Sequence, residues 1–154
     1  MAVKADFNQI SIYKTPENSP GYLLWRVSTR WRRSVEAALK PYDLTHAQFV
    51  ILATTAWLTK EGKKVSQNDV SRLAEVDTNT LSQILRCLQK KGLIERPHLR
   101  DRKAKNPTLT AEGLARLNQA LPAVEKVDEQ FFSTLGEHKE EFLKELQNLA
   151  LRGE

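Results

Sequence analysis

The chain has 154 residues, 40% of them hydrophobic and 28% charged; that is enough for one domain, or one domain with a helical arm, and it argues against wholesale disorder. No apolar run approaches the roughly 20 residues of a membrane span, MAVKADFNQISIYK lacks a signal-peptide core, and the single cysteine, Cys87, excludes an internal disulfide framework. The expectation is a cytoplasmic protein with no membrane attachment. Its formal charge of +5 is unevenly placed: residues 21–105 carry 17 Lys/Arg against 8 Asp/Glu, and residues 106–154 carry 5 against 9. A basic body with an acidic tail suits one surface to a polyanion and leaves the other for a different task.

Residues 1–18 read as a semi-extended arm. Ser19 and Pro20 then supply an N-cap and a first helical residue. Leu24, Val27, Trp31, Val35 and Ala38 follow at helical spacing, with Arg26, Arg30 and Arg33 on another face. Lys40-Pro41 should end this helix, because a residue before proline is disfavoured in α geometry. Thr45-His-Ala-Gln48 is a capping box with Leu44 and Phe49 as its staple, and the stripe Phe49, Leu52, Ala53, Ala56, Trp57 runs on until EGKK at 61–64. Ser66-Gln-Asn-Asp69 resembles another capped start, followed by a short helix carrying Val70, Leu73 and Ala74.

Asp77 opens a further helix to Lys91, with Gly92 placed for the left-handed position after its end. LIERPHL (93–99) alternates like a strand, and KNPTLT (105–110) returns as its partner, with Pro107 restricting the second strand to an edge or bulge. Thr110 caps a helix through Leu114, Leu117 and Leu121 that should kink at Pro122. A last helix begins near Glu137 and carries Phe142, Leu143, Leu146 and Leu149.

Helix, brief turn, second helix, then a hairpin with a basic tip is the order of a winged helix-turn-helix, in which the second helix enters the major groove of DNA. On helix 77–91, Leu81, Ile84, Leu85 and Leu88 form the inward stripe. Opposite them stand Asn79, Gln83, Arg86 and Lys90, all hydrogen-bond donors and none acidic. Asn and Gln pair with adenine, Arg with guanine, and Lys reaches phosphate. Thr78, Thr80 and Ser82 add hydroxyls where a helix start favours phosphate, and Ser66 and Gln67, at the start of the supporting helix, join the expected DNA-binding set. In the stretch RPHLRDRKAKNPTLT, Arg100, Arg102 and Lys103 make a tip suited to a narrow minor groove. Asp101, turned back on a neighbouring cation, would brace it.

LTHAQFVIL, then VSQNDVSRLAEVDTNTLSQILRCLQKKGLIER, then RDRKAKNPTLTAEG, together resemble the MarR family of bacterial transcription regulators. The likeness runs from about Gly21 onward and is strongest over residues 44–113. The Asp-x-basic wing followed by Leu-Thr-x-x-Gly is its most specific part. The resemblance implies a homodimer whose N- and C-terminal helices interlock while two winged units grip a palindrome. Residues 1–43 would then form an arm and first dimerisation helix, 44–110 the winged unit and 111–154 the C-terminal dimerisation helices. The fold class is mainly α with a small β-hairpin wing. Two departures stand out: Lys103 occupies a wing position where the family usually has Arg, and Pro107 replaces a β-branched strand residue.

The family keeps an effector pocket between its dimer helices and reading head, where Trp25, Trp31, Tyr42 and Trp57 concentrate with Tyr22; core packing is the readier explanation for most of them. Cys87 reads as a half-buried filler more readily than as a redox sensor. His46, His98 and His138 lack metal-ligand spacing, no cofactor motif stands out, and no nucleophile elbow or carboxylate pair argues for catalysis. The leading reading is a sequence-specific regulator of double-stranded DNA, a repressor released by a small molecule. The competing one is a winged-helix module that binds RNA or an acidic protein.

Overall fold

The computed structural model describes residues 1–96 and 106–152. In chain order it has α1 (Phe7–Ile10), α2 (Pro20–Leu39), α3 (His46–Thr59), α4 (Gln67–Ala74), α5 (Thr78–Lys90), β1 (Ile94–Glu95), β2 (Thr108–Leu109), α6 (Ala111–Phe131) and α7 (Lys139–Ala150). No helix among the described residues is long and apolar enough to cross a membrane.

The helix starts follow their capping chemistry. The Ser19 hydroxyl accepts from the Tyr22 amide, and both expected capping boxes form, Thr45 with Gln48 and Ser66 with Asp69. Asp77 caps α5, and Thr110 caps α6. The ends are less simply read. Residues 1–18 are not merely extended, since Asp6 caps the one-turn α1 and Pro16–Asn18 make a 3-10 turn. Lys40 precedes proline yet keeps α geometry; the chain tightens into a 3-10 turn at Lys40–Tyr42 and leaves through Asp43, which is left-handed at φ 50°. α6 runs unbroken through Pro122, with Leu117, Ala120 and Val124 on either side buried in the core. α7 starts two residues later than expected, after a turn in which Gly136 takes φ 53°.

The core gathers around α3, which packs against α2, α4, α5 and α6. Leu39, Ile51, Leu52, Val70, Leu81, Leu85, Leu88, Leu93 and Ile94 are almost fully buried there, and each such side chain contributes roughly 1.5–3 kcal/mol of hydrophobic burial. The wing's base is a two-residue antiparallel ladder, Ile94 opposite Leu109 and Glu95 opposite Thr108. Among the described residues the pairing is limited to these two pairs. Pro107, next to β2, is fully buried, and its missing amide falls on the strand edge away from β1, since the amide of Thr110, three residues on, points towards β1.

The base is cinched to α6. The Thr110 amide donates to the Leu93 carbonyl at 3.1 Å and its hydroxyl to the Gly92 carbonyl at 2.6 Å, while the Gly113 amide donates back to that hydroxyl at 2.9 Å. Gly113 lies so close that a Cβ there would sit 2.0 Å from the Leu93 carbonyl oxygen.

α2 and α7 are different. Leu24 and Val27 on the α2 stripe are exposed, and only Val35 and Leu39 of that helix are buried. α7 buries none of its residues in the single chain.

Candidate nucleic-acid interface

α5 has the two faces that its sequence suggests. Leu81, Leu85 and Leu88 are fully buried and Ile84 partly so, which fixes the rotation of the helix about its axis. Asn79, Gln83, Arg86 and Lys90 consequently form one exposed row. Thr78 is also exposed, and Ser82 is half-buried at the edge of that row.

The helix start is organised differently from expectation. Asp77 accepts from the amides of Asn79 at 3.1 Å and Thr80 at 2.9 Å, and from the Thr80 hydroxyl. These bonds, led by that hydroxyl, hold the Asp77 carboxyl below the usual carboxylate range. The amides that would have received a phosphate therefore already serve a carboxylate, and the Thr80 proton is engaged with it.

α4 shows the same economy. The Ser66 hydroxyl donates to Asp69 at 2.7 Å and accepts from its amide at 3.2 Å, so both functions belong to the capping box and not to an outside ligand. Bonding to Ser66 is also the main cause of a lowered Asp69 pKa. Gln67 is half-buried, and its amide oxygen faces the guanidinium of Arg96 at 3.5 Å.

Arg96 is not among the residues that the sequence pattern singles out. Its Nε donates to Gln89 of α5 at 3.0 Å, so one side chain links the wing base, α5 and the start of α4. Burial lowers its pKa, and the nearby Arg86 cation adds to the effect. The signal available in the sequence was its place at the end of the strand, next to a helix face already rich in cations. Arg100, Asp101, Arg102 and Lys103 lie outside the described residues, as does His98.

The four aromatic residues assigned to an effector pocket have unlike surroundings. Trp25 and Trp57 are 72% and 62% exposed, which overturns core packing as their explanation in the single chain. Lys60 lies over the Trp57 ring, 3.2 Å from its centroid. Tyr42 is half-buried, and its carbonyl accepts from Arg116 at 2.9 Å. Trp31 donates its indole N–H to Asp128 at 2.7 Å and meets His46 edge-on at 5.1 Å. A cleft of about 730 Å3 lies elsewhere, between the end of α3, the turn after it, β2 and the start of α6. Ala56, Leu109 and Leu114 supply its apolar wall and Lys60, Lys63 and Lys64 its rim; none of the four aromatics borders it.

Cys87 is exposed and is not the half-buried filler expected, because it follows Arg86 around the outer side of α5. Among the described residues no group of three or more His, Cys, Asp or Glu is arranged to hold a metal.

His46 carries a pH prediction. Burial pulls its pKa below the ordinary 6.5, with Arg32 adding to the shift and Glu36 and Asp128 opposing it. The unfolded chain therefore takes up this proton before the folded one does, and stability falls as pH drops below about 6.5 towards the lowered value. Replacing His46 with Gln should flatten the fall in urea midpoint between about pH 7 and pH 5, above the range where the capping carboxylates titrate. Equal pH slopes in the two proteins would contradict the assignment.

The comparisons with known proteins agree with this geometry. A family model of the ArnR1-like winged-helix domain matches residues 40–128. The HTH-type transcriptional regulator YdcH of Bacillus subtilis is 38% identical, over 90% of this chain and 95% of its own. The transcriptional repressor Rv2887 of Mycobacterium tuberculosis is 31% identical, over 84% of this chain and 91% of its own. The crystal structure of Rv2887, a MarR family protein, in complex with DNA covers 85% of this chain and 97% of that one, with a TM-score of 0.67.

This chain belongs to the MarR family of winged-helix transcription regulators. A Rhodococcus MarR family regulator, 22% identical with a TM-score of 0.78 over 90% of this chain and 96% of that one, shares the fold. Within that MarR frame, α4 and α5 are the helix-turn-helix, and β1 and β2 are the base of the wing.

Proposed function

We propose that this MarR regulator is a cytoplasmic homodimer that reads a palindromic DNA operator, acts as a repressor and is released by a small molecule. The observation that carries the reading is the exposed row Asn79, Gln83, Arg86 and Lys90, held outward by a fully buried leucine stripe. Such a row supplies donors for base edges along one groove-facing side and a cation for phosphate. The DNA complex of Rv2887, a relative 31% identical, supports it.

Dimerisation is assigned to residues 1–43 and 111–154. Leu24, Trp25 and Val27 on α2 and Leu143 and Leu149 on α7 are exposed in the single chain, and isologous pairing is the commonest way to bury such faces. The role is regulatory and not catalytic, as it is for the relatives, which are transcriptional regulators.

For the effector, Rv2887 has been crystallised with salicylic acid, in a structure 30% identical to this chain. The apolar cleft rimmed by Lys60, Lys63 and Lys64 has the character to take an apolar anion of that kind. The wing residues Arg100, Arg102 and Lys103, with Asp101 as brace, remain assigned to the minor groove on sequence grounds.

The test is selection of bound fragments from the genome of the source organism. An enriched inverted repeat is expected, and enrichment without any shared repeat, or of RNA only, would favour the interaction-module reading instead.

A further inference from the structure

The reading helix ends on a residue whose charge does not face the proposed DNA surface. Lys91, the C-cap of α5, turns back towards the junction between α2 and α3. Its ammonium donates to the Asp43 carbonyl at 2.6 Å and to the Gln48 side-chain oxygen at 3.1 Å, and lies 3.3 Å from the Asp43 carboxylate. An ammonium has three hydrogens, and here three oxygens surround it.

Each of those oxygens belongs to a constrained group. Asp43 is fixed in a left-handed conformation at φ 50°. The Gln48 oxygen also accepts from the Thr45 amide at 3.2 Å, as half of the α3 capping box. One residue earlier, the Tyr42 carbonyl accepts from Arg116 of α6 at 2.9 Å, and the same guanidinium pairs with Glu112 at 3.1 Å. The segment at 42–48 is therefore gripped from α6 on one side and from the end of α5 on the other. It is also where the chain passes from the long helix α2 into the winged unit.

We propose that Lys91 is a positioning residue that sets the angle of the reading helix against the helices α2 and α6, and thereby the spacing between half-sites that the protein accepts. The inference rests on the reading of the chain as a dimer that grips two half-sites. Its physical basis is leverage. α5 has 13 residues, so its N-terminal end, where Asn79 opens the outward row, lies about 20 Å from the anchored end. A rotation of about 10° at the anchor carries that end by about 3.5 Å, close to one base-pair step along a strand. One base pair also turns one half-site by about 35° relative to the other. A firm anchor therefore rejects a wrong spacer, whereas a loose one tolerates it.

The experiment uses full-length protein and duplexes carrying two copies of the half-site from the recovered repeat, with the spacer changed by one or two base pairs either way. A duplex with a single half-site is measured beside them. Wild type should prefer its best spacer over its neighbours by about tenfold or more, the size of a single-base-pair penalty. Lys91→Met keeps much of the stem's length but removes the charge and its donors, and should reduce that preference to about threefold or less. Affinity for the single half-site and base preference within it should stay unchanged, which a general loss of folding would not allow.

Asp43→Asn keeps a residue tolerant of left-handed geometry and removes only the carboxylate. It should give an intermediate spacer profile, and it tests the same link if Lys91→Met fails to fold. Spacer profiles identical to wild type in the folded variants would overturn the proposal while leaving operator reading intact. A wild type that shows no spacer optimum on any duplex would overturn both.

Discussion

Replacing Gly113 with Ala should destabilise the protein by about 3 kcal/mol, at the upper end of the usual range for overpacking. Helix propensity alone gives the opposite sign, since Ala in place of Gly favours a helix interior by about 1 kcal/mol. The contact decides between them. A Cβ at Gly113 would lie 2.0 Å from the Leu93 carbonyl oxygen and 2.9 Å from its carbon, and both atoms are backbone with no rotamer to yield. The Leu93 carbonyl is itself held by the Thr110 amide. To admit a methyl group, α6 must move away from the start of the wing and disturb the Thr110 bonds to Gly92 and Gly113. Urea unfolding gives the measurement. A midpoint equal to or above that of wild type would show that α6 does not press on β1 in this way.

That glycine marks a boundary of what can be read from sequence. Leu-Thr-x-x-Gly was visible as a motif, and Thr110 as a helix cap. The reason for the glycine was not, because it depends on a backbone contact with Leu93, far away in the chain. Local chemistry was the most readable: Ser19, Thr45, Ser66, Asp77 and Thr110 all cap the helices expected of them. Their partners lie within three residues, so neighbours in sequence are neighbours in space. The inward and outward faces of α5 were readable for a related reason, since a period of 3.6 residues converts spacing directly into direction.

The failures share the reverse property. α2 does end at Lys40-Pro41, but not for the expected reason: Lys40 keeps α geometry, and the chain turns at Asp43. Ser66 and Thr80 looked available to DNA, whereas their hydroxyls donate to the carboxylates of Asp69 and Asp77. Arg96 and Lys91 look like two more surface cations in a basic stretch. Only the fold shows that one ties Gln89 to Gln67 and the other ties the end of α5 to Asp43. In the single chain, Trp25 and Trp57 are exposed and not core, and neither borders the cleft at the end of α3.

Arg86→Ala should give the second large effect. Arg86 is exposed near the middle of the outward row, on a helix whose rotation is fixed by Leu81, Leu85 and Leu88. Removing a guanidinium that reads a guanine edge is expected to cost about 1–3 kcal/mol on the best operator and to relax preference at particular base pairs. Lys90→Ala is the internal contrast, because a lost phosphate contact weakens all sequences about equally and lowers the salt slope by about one for each contact removed. Folding should be little affected in either variant, since both side chains are exposed on a capped helix.

The decisive measurement is therefore the base-preference profile of wild type, Arg86→Ala and Lys90→Ala on one operator and all its single-base-pair variants, at one salt concentration. The expected result is a profile that flattens at one or two symmetry-related positions in Arg86→Ala and keeps its shape at lower affinity in Lys90→Ala. If Arg86→Ala keeps the wild-type profile, the outward face of α5 does not read bases there, and the central claim fails.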